Sequence, residues 1–178
     1  MMRSNKPKKA LQRRGKSFLF AARGIGFAAK TQPNFCFHLL AIVLVTEFGL
    51  LYDLEKDRWG LLLVFFCLIP ALELVNTALE AVVDLVSPNY HPLAKVAKDC
   101  AAGAVLVAAL GAVGAAVFLF GDATRLSIAL GIFVTTPWMW GLLAVELIAA
   151  VVILLIPGKQ SEHATLFSNK HKSEKKES

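Results

Sequence analysis

Charge is scarce in this sequence, and acid is absent from its start. Only 18% of the 178 residues are charged, against about a quarter in a typical soluble domain. The charges crowd into the two ends and a few short breaks. With 56% hydrophobic residues and a mean hydropathy of +0.59, that distribution excludes an ordinary soluble domain and predicts a membrane protein. Cysteine is limited to Cys36, Cys67 and Cys100. None of them forms a C-x-x-C pair and all lie in or beside apolar segments, so they read as small buried hydrophobes rather than a disulfide framework or a metal site. No P-loop and no kinase-type glycine-rich loop occurs, so a soluble NTPase fold is not implied. No apolar stretch with a small-residue cleavage site follows the first basic residues, so no signal peptide is expected.

What the first thirty residues do contain is nine Lys or Arg: Arg3, Lys6, Lys8, Lys9, Arg13, Arg14, Lys16, Arg23 and Lys30. Beside long apolar runs such a block suits anionic lipid headgroups, at roughly 1 kcal/mol per basic residue close to the surface. No second basic face or aromatic platform accompanies it, so nucleic acid is not an expected partner. Residues 8–30 predict an amphipathic helix lying in the membrane interface, with Phe18, Phe20, Ile25 and Phe27 as its apolar contacts. Pro33-Asn34 breaks it.

Four apolar runs follow, at 35–52, 59–86, about 93–120 and 138–156, each long enough to cross a hydrocarbon core of ~30 Å. Trp59 opens the second run, as expected of an interfacial aromatic. Pro92 suits the first turn of the third, whose many alanines and Gly103, Gly111 and Gly114 give a smooth face for close helix contact. Residues 127–136 are apolar but short. The Lys-rich tail, 158–178, has the composition of a disordered segment. The fold class is therefore all-α: a multi-pass transmembrane helical bundle with an N-terminal amphipathic surface helix. By the positive-inside rule, 1–30, 87–99 and 158–178 are expected in the cytoplasm, with 53–58 and 121–126 outside.

The second run carries the specific signal. Advancing 100° per residue from Glu73 puts Asn76 at about −60°, Glu80 at about −20° and Asp84 at about +20°. Four polar groups thus form one narrow stripe on an otherwise apolar helix. Ionisable groups in a span cost on the order of 3 kcal/mol each, so the stripe must face a bundle interior, a wet cleft or a cation. One reading is a polar interface that fixes helix register. The other is a divalent metal, since three carboxylates without a base on the same stripe repel one another and Mg²⁺ takes one or two carboxylates together with substrate phosphates. His91-Pro92 then begins a helix whose first turns carry Lys95, Lys98 and Asp99. A helix N-terminus is a natural phosphate site, and lysines there oppose the helix dipole unless they have an anionic partner. Together these are the parts needed for phosphoryl transfer from ATP.

Glu73-Leu-Val-Asn76-Thr-Ala-Leu-Glu80-Ala-Val-Val-Asp84, followed by Ser87-Pro-Asn-Tyr-His91-Pro-Leu-Ala-Lys-Val-Ala-Lys98-Asp99 and on through Gly103, resembles the signature of prokaryotic diacylglycerol kinases and the related undecaprenol kinases. The general layout extends the likeness over roughly residues 10–120. The resemblance implies a homotrimer of three-span subunits in the bacterial inner membrane, with active sites shared between neighbours at the cytoplasmic face. It implies Glu73 as general base on the lipid hydroxyl and Glu80 as ligand of the metal on ATP, with Mg²⁺ as cofactor. It places Arg13, Asn89, Tyr90, His91, Lys98 and Asp99 at the nucleotide, and Asn76, Asp84 and Lys95 beside the site.

Two departures stand out. Gln32 takes the place of an acid that serves the family as a second metal ligand, and it offers an oxygen without the charge. Cys36 stands where many relatives have Arg. The run at 138–156 is extra to the three-span plan, giving a basic segment 1–34, a core 35–120, an added span 121–157 and the tail 158–178. Glu47 and Glu146 read as polar helix contacts, and His38 as a satisfied packing histidine. Two other functions stay open on residues alone: a non-enzymatic bundle such as a cation carrier subunit, and a kinase homologue weakened by Gln32. The Lys95/Lys98/Asp99 cluster favours the kinase, because a cation path gains nothing from lysines at its mouth.

Overall fold

The computed structural model describes the backbone of residues 6–155 and the side chains of residues 16–155. Six helices occur among them, and no strand: α1 (Lys6–Thr31), α2 (Pro33–Leu51), α3 (Trp59–Val86), α4 (Pro92–Leu119), α5 (Ala123–Thr135) and α6 (Pro137–Leu155). Prolines open α2, α4 and α6, where the missing N–H costs nothing and the fixed φ already suits a helix. α2, α3, α4 and α6 are long and apolar enough to span a membrane. The chain is thus an all-helical multi-pass membrane protein, as its composition predicts. The tail expected to be disordered lies outside the described residues.

α1 runs as one helix despite Gly15, Gly24 and Gly26. Its Phe18, Phe20 and Ile25 are exposed together with Lys16, Arg23 and Lys30, as an interfacial helix requires. Ala28 is fully buried, and α1 packs on α2 and α3. Only Gln32, in extended conformation, separates α1 from α2.

α3 and α4 form an antiparallel hairpin with the most extensive interface among the described helices. The small residues of α4 permit it: Ile69 of α3 is buried with Val105 and Ala108, and Phe65, Leu72 and Ala112 pack against them. Pro70 lies inside α3 and so leaves the Phe66 carbonyl without its usual helical donor. At the opposite end from the α3–α4 turn, Tyr52, Leu54, Leu62, Leu119 and Ala129 form one buried cluster drawn from α3, α4, α5 and the α2–α3 turn. Phe48 and Phe120 pack edge-on at 5.0 Å between ring centres, and Tyr52 meets Phe120 at 5.1 Å.

The α2–α3 turn is closed by hydrogen bonds from Leu54 N–H to the Gly49 carbonyl (3.0 Å) and from Asp53 N–H to Leu50 (3.3 Å). Asp53 takes φ 53°. This is the Schellman arrangement, with Asp where glycine is usual and the apolar residue after it, Leu54, buried. Gly49 is required by close approach, since a Cβ there would lie 2.9 Å from the Trp59 ring.

The short apolar stretch expected at 127–136 is a helix that starts four residues earlier. Asp122 caps it by accepting from the N–H groups of Thr124 (2.9 Å) and Arg125 (3.0 Å). α5 packs on α2 and α6, and α6 packs on α2.

Candidate active site

The stripe survives folding as a graded line from buried to exposed. Glu73 and Asn76 are buried, Glu80 is half-buried and Asp84 is exposed. Each member has a partner, and the partners come from three sources. Glu73 Oε1 lies 3.2 Å from Nε2 of His38 on α2. Glu80 Oε1 accepts from Asn76 Nδ2 at 3.2 Å, one turn away on the same helix. Asp84 Oδ1 accepts from Lys98 Nζ of α4 at 2.5 Å.

Among the described residues no three acid, His or Cys side chains converge on one point. The mutual repulsion read from the stripe is relieved by neighbouring helices instead. What remains for a metal is a smaller donor set. Asn76 Oδ1 is buried without a hydrogen-bond partner, on the side chain that holds Glu80. One carboxylate and one neutral oxygen fit a cation that arrives already carrying phosphates, not an all-protein cage. Gln32 caps the start of α2 by position, yet its side chain makes no cap hydrogen bond.

The lysines have anionic partners, as their position demands, and in this structure those partners are carboxylates: Lys95 donates to Asp99 (2.6 Å) and Lys98 to Asp84. All four side chains are more than a third exposed, so these pairs are weak and a phosphate can compete for the ammonium groups. His91 serves the helix start directly, its Nδ1 accepting from Leu93 N–H at 3.2 Å. It thereby occupies one donor that a bare N-terminus would offer to phosphate. Asn89 and Tyr90 are exposed in the turn, and Ser87 Oγ donates to the Asn89 carbonyl. Arg13 lies in α1, but its side chain is outside the described residues.

His38 is the residue whose importance the sequence understated. It is satisfied, as expected of a packing histidine, but the group that satisfies it is Glu73. His38 also lines an apolar cavity of about 80 Å³ between α2, α3 and α4. A histidine in one span and a carboxylate in the next is a signal available in principle, because intramembrane ionisable groups seek one another. Thr77 adds a bond from its hydroxyl to the Glu73 carbonyl at 2.9 Å.

This geometry falls inside the region that is similar to known proteins. Residues 19–120 match the family described as prokaryotic diacylglycerol kinase. A diacylglycerol kinase of Synechocystis is 51% identical over 98 residues, 54% of this chain and 56% of that protein. The undecaprenol kinase of Bacillus subtilis is 44% identical over 109 residues, 61% of this chain and 89% of its own length. The diacylglycerol kinase of Escherichia coli K12 is 35% identical over 74 residues, 42% of this chain and 61% of its own. The family match ends at residue 120, leaving α5 and α6 beyond it.

Proposed function

Because the chain belongs to the prokaryotic diacylglycerol kinase family, we propose that it is a membrane lipid kinase that transfers the γ-phosphate of ATP to the hydroxyl of diacylglycerol or undecaprenol. The observation that carries this reading is the buried Glu73, held by His38, in a span that is otherwise apolar up to Asn76 and Glu80. A carboxylate at that depth is costly, and a base for a lipid hydroxyl is a use that only such a place can serve.

In this reading Glu73 accepts the proton of the lipid hydroxyl as its oxygen forms the new bond to the γ-phosphorus, and the bond to the ADP oxygen breaks. His38 Nε2 fixes the carboxylate that takes the proton. Glu80, Asn76 Oδ1 and Gln32 would hold Mg²⁺, which supplies charge neutralisation for the phosphates when bound. Lys98 and Lys95 exchange Asp84 and Asp99 for phosphate oxygens, and Asn89, Tyr90, His91 and Arg13 bound the nucleotide. Glu73 and Glu80 are seven residues apart, roughly 10 Å along the axis, which separates the acceptor end of the reaction from the nucleotide end.

The same reading puts residues 1–30, 87–99 and 158–178 in the cytoplasm of a bacterial inner membrane. The basic first block and the acidic 53–58 break support this by the positive-inside rule. A homotrimer is part of it, carried by the family resemblance alone. The deciding experiment offers labelled ATP and Mg²⁺ to the detergent-purified protein with diacylglycerol and undecaprenol side by side. Label is expected in one lipid or both. A folded sample that labels neither overturns the assignment.

A further inference from the structure

Residues 1–30 hold nine Lys or Arg and no acid, and the proposed reaction uses only Arg13 of them. Seven of the nine precede the family match, which begins at residue 19. Advancing 100° per residue from Arg23 puts Lys30 at about −20°, Lys16 at about +20°, Leu19 at about −40°, Phe27 at about +40° and Phe20 at about +60°. Three bases and three large apolar side chains thus share one face of α1, about 100° wide. All six are exposed. Arg23 Cζ lies 5.9 Å from the centre of the Phe20 ring. Among the described residues no acid pairs with Lys16, Arg23 or Lys30. The buried Ala28 falls at about +140°, with Ile25 at about −160° and Phe18 at about −140°. The basic face is therefore turned away from the seat of α1 on α2 and α3.

Such a face asks two things of its partner: negative charge for the bases, and apolar cover for Leu19, Phe20 and Phe27. Nucleic acid offers the charge without the cover. A neutral bilayer offers the cover without the charge. An anionic bilayer surface offers both, since the rings and the leucine enter the acyl boundary while the cationic heads stay among the phosphates. Position agrees with this partner. Gln32 alone separates α1 from the span α2, so the helix is held at the membrane boundary.

We propose that this face of α1 docks on anionic phospholipid, and that the docking is graded by the anionic content of the surrounding bilayer. Each base near such a surface strengthens docking about fivefold. A lipid kinase makes an anionic lipid from a neutral one, so docking rises as the reaction proceeds. That last consequence rests on the kinase reading, whereas the docking itself does not.

The test places the full-length protein in nanodiscs of phosphatidylcholine, or of phosphatidylcholine mixed with phosphatidylglycerol, and times trypsin cleavage after Arg23 by mass spectrometry. Cleavage tracks the undocked fraction when docking is fast relative to the cut. Phosphatidylglycerol should slow the cut by more than about tenfold, and high salt should restore it. Cleavage after Arg58, in the α2–α3 turn, controls for trypsin's own attraction to the lipid. Lys16→Gln combined with Lys30→Gln should regain about fivefold in rate for each residue neutralised. Phe18→Ser, on the other face, should leave the protection unchanged. No ATP or acceptor lipid is present, so failure of the kinase assay and failure of docking read out separately. Equal cleavage of the unaltered protein in the two kinds of disc overturns the proposal without reliance on any variant. Protection that the double variant keeps in full, or that Phe18→Ser abolishes, overturns it as well.

Discussion

The two ends of the α3–α4 hairpin are built on opposite principles. At the Tyr52 end the polar groups serve packing. Tyr52 is 2% exposed, and its hydroxyl accepts from Asp122 N–H at 3.0 Å. Trp59 Nε1 donates to the Leu54 carbonyl, and Glu55 bridges Arg58 and Arg125. At the Asn89 end Asn89, Tyr90, His91, Lys95 and Asp99 stand in the open, with no buried aromatic cluster beneath them among the described residues. One end is closed and locally satisfied. The other leaves groups free to exchange partners, as binding surfaces must. The buried Glu73 lies between them.

That contrast can be broken by mutation. The largest effect is expected at Glu73, where Glu73→Gln should lower turnover by roughly 10²–10⁴, the usual worth of a general base. Nucleotide binding by calorimetry with a non-hydrolysable analogue should stay nearly intact, and Glu80→Gln should instead weaken Mg·ATP binding. The opposite pairing of results would reverse the two roles. Next comes Tyr52→Ala, expected to cost about 3 kcal/mol through the cavity it opens, with nucleotide affinity of the folded protein unchanged. Tyr52→Phe keeps the ring but abandons the Asp122 N–H, for about 1 kcal/mol. Unfolding in detergent measures both, and an equal loss in the two variants would show that the ring contributes nothing beyond its hydroxyl.

Smaller effects sharpen the picture at the same end. Asp53→Gly relieves a left-handed backbone position and should raise stability by about 1 kcal/mol, seen as a higher unfolding midpoint. Asp122 is held below the usual carboxylate range, first by the Arg125 N–H and also by that of Thr124. Its folded form thus binds fewer protons than the unfolded chain. The contribution is present above about pH 4, the ordinary Asp value, and is lost as pH falls through the lower folded value. Asp122→Asn should flatten that acid limb of stability. An unchanged limb would assign it to other carboxylates.

Much of this was legible from residue order. Pro33 marked the break after α1 and Pro92 the start of α4, the hydropathy marked the four spans, and the 100° rule aligned Glu73, Asn76, Glu80 and Asp84 on one face. Partners were not legible, because they come from other helices. Periodicity cannot say that Lys98 reaches Asp84 or that His38 reaches Glu73. The early start of α5 was missed for a different reason. Its apolar pattern begins late, and the signal lay in Asp122 as a cap before Ala-Thr-Arg. The pairing of the stripe was only half legible: Asn76 and Glu80 share a face of one helix, whereas the His38 and Lys98 that meet Glu73 and Asp84 come from other helices.

Pro70 has a mechanical consequence for these two ends. With the Phe66 carbonyl released from the ladder, the continuous helix α3 has one turn less stiff than the rest. The half before that turn meets the Tyr52 cluster through Leu62 and Phe66. The half after it carries Glu73, Asn76, Glu80 and Asp84. Any bend in α3 would fall at that turn, with the half before it held in the Tyr52 cluster.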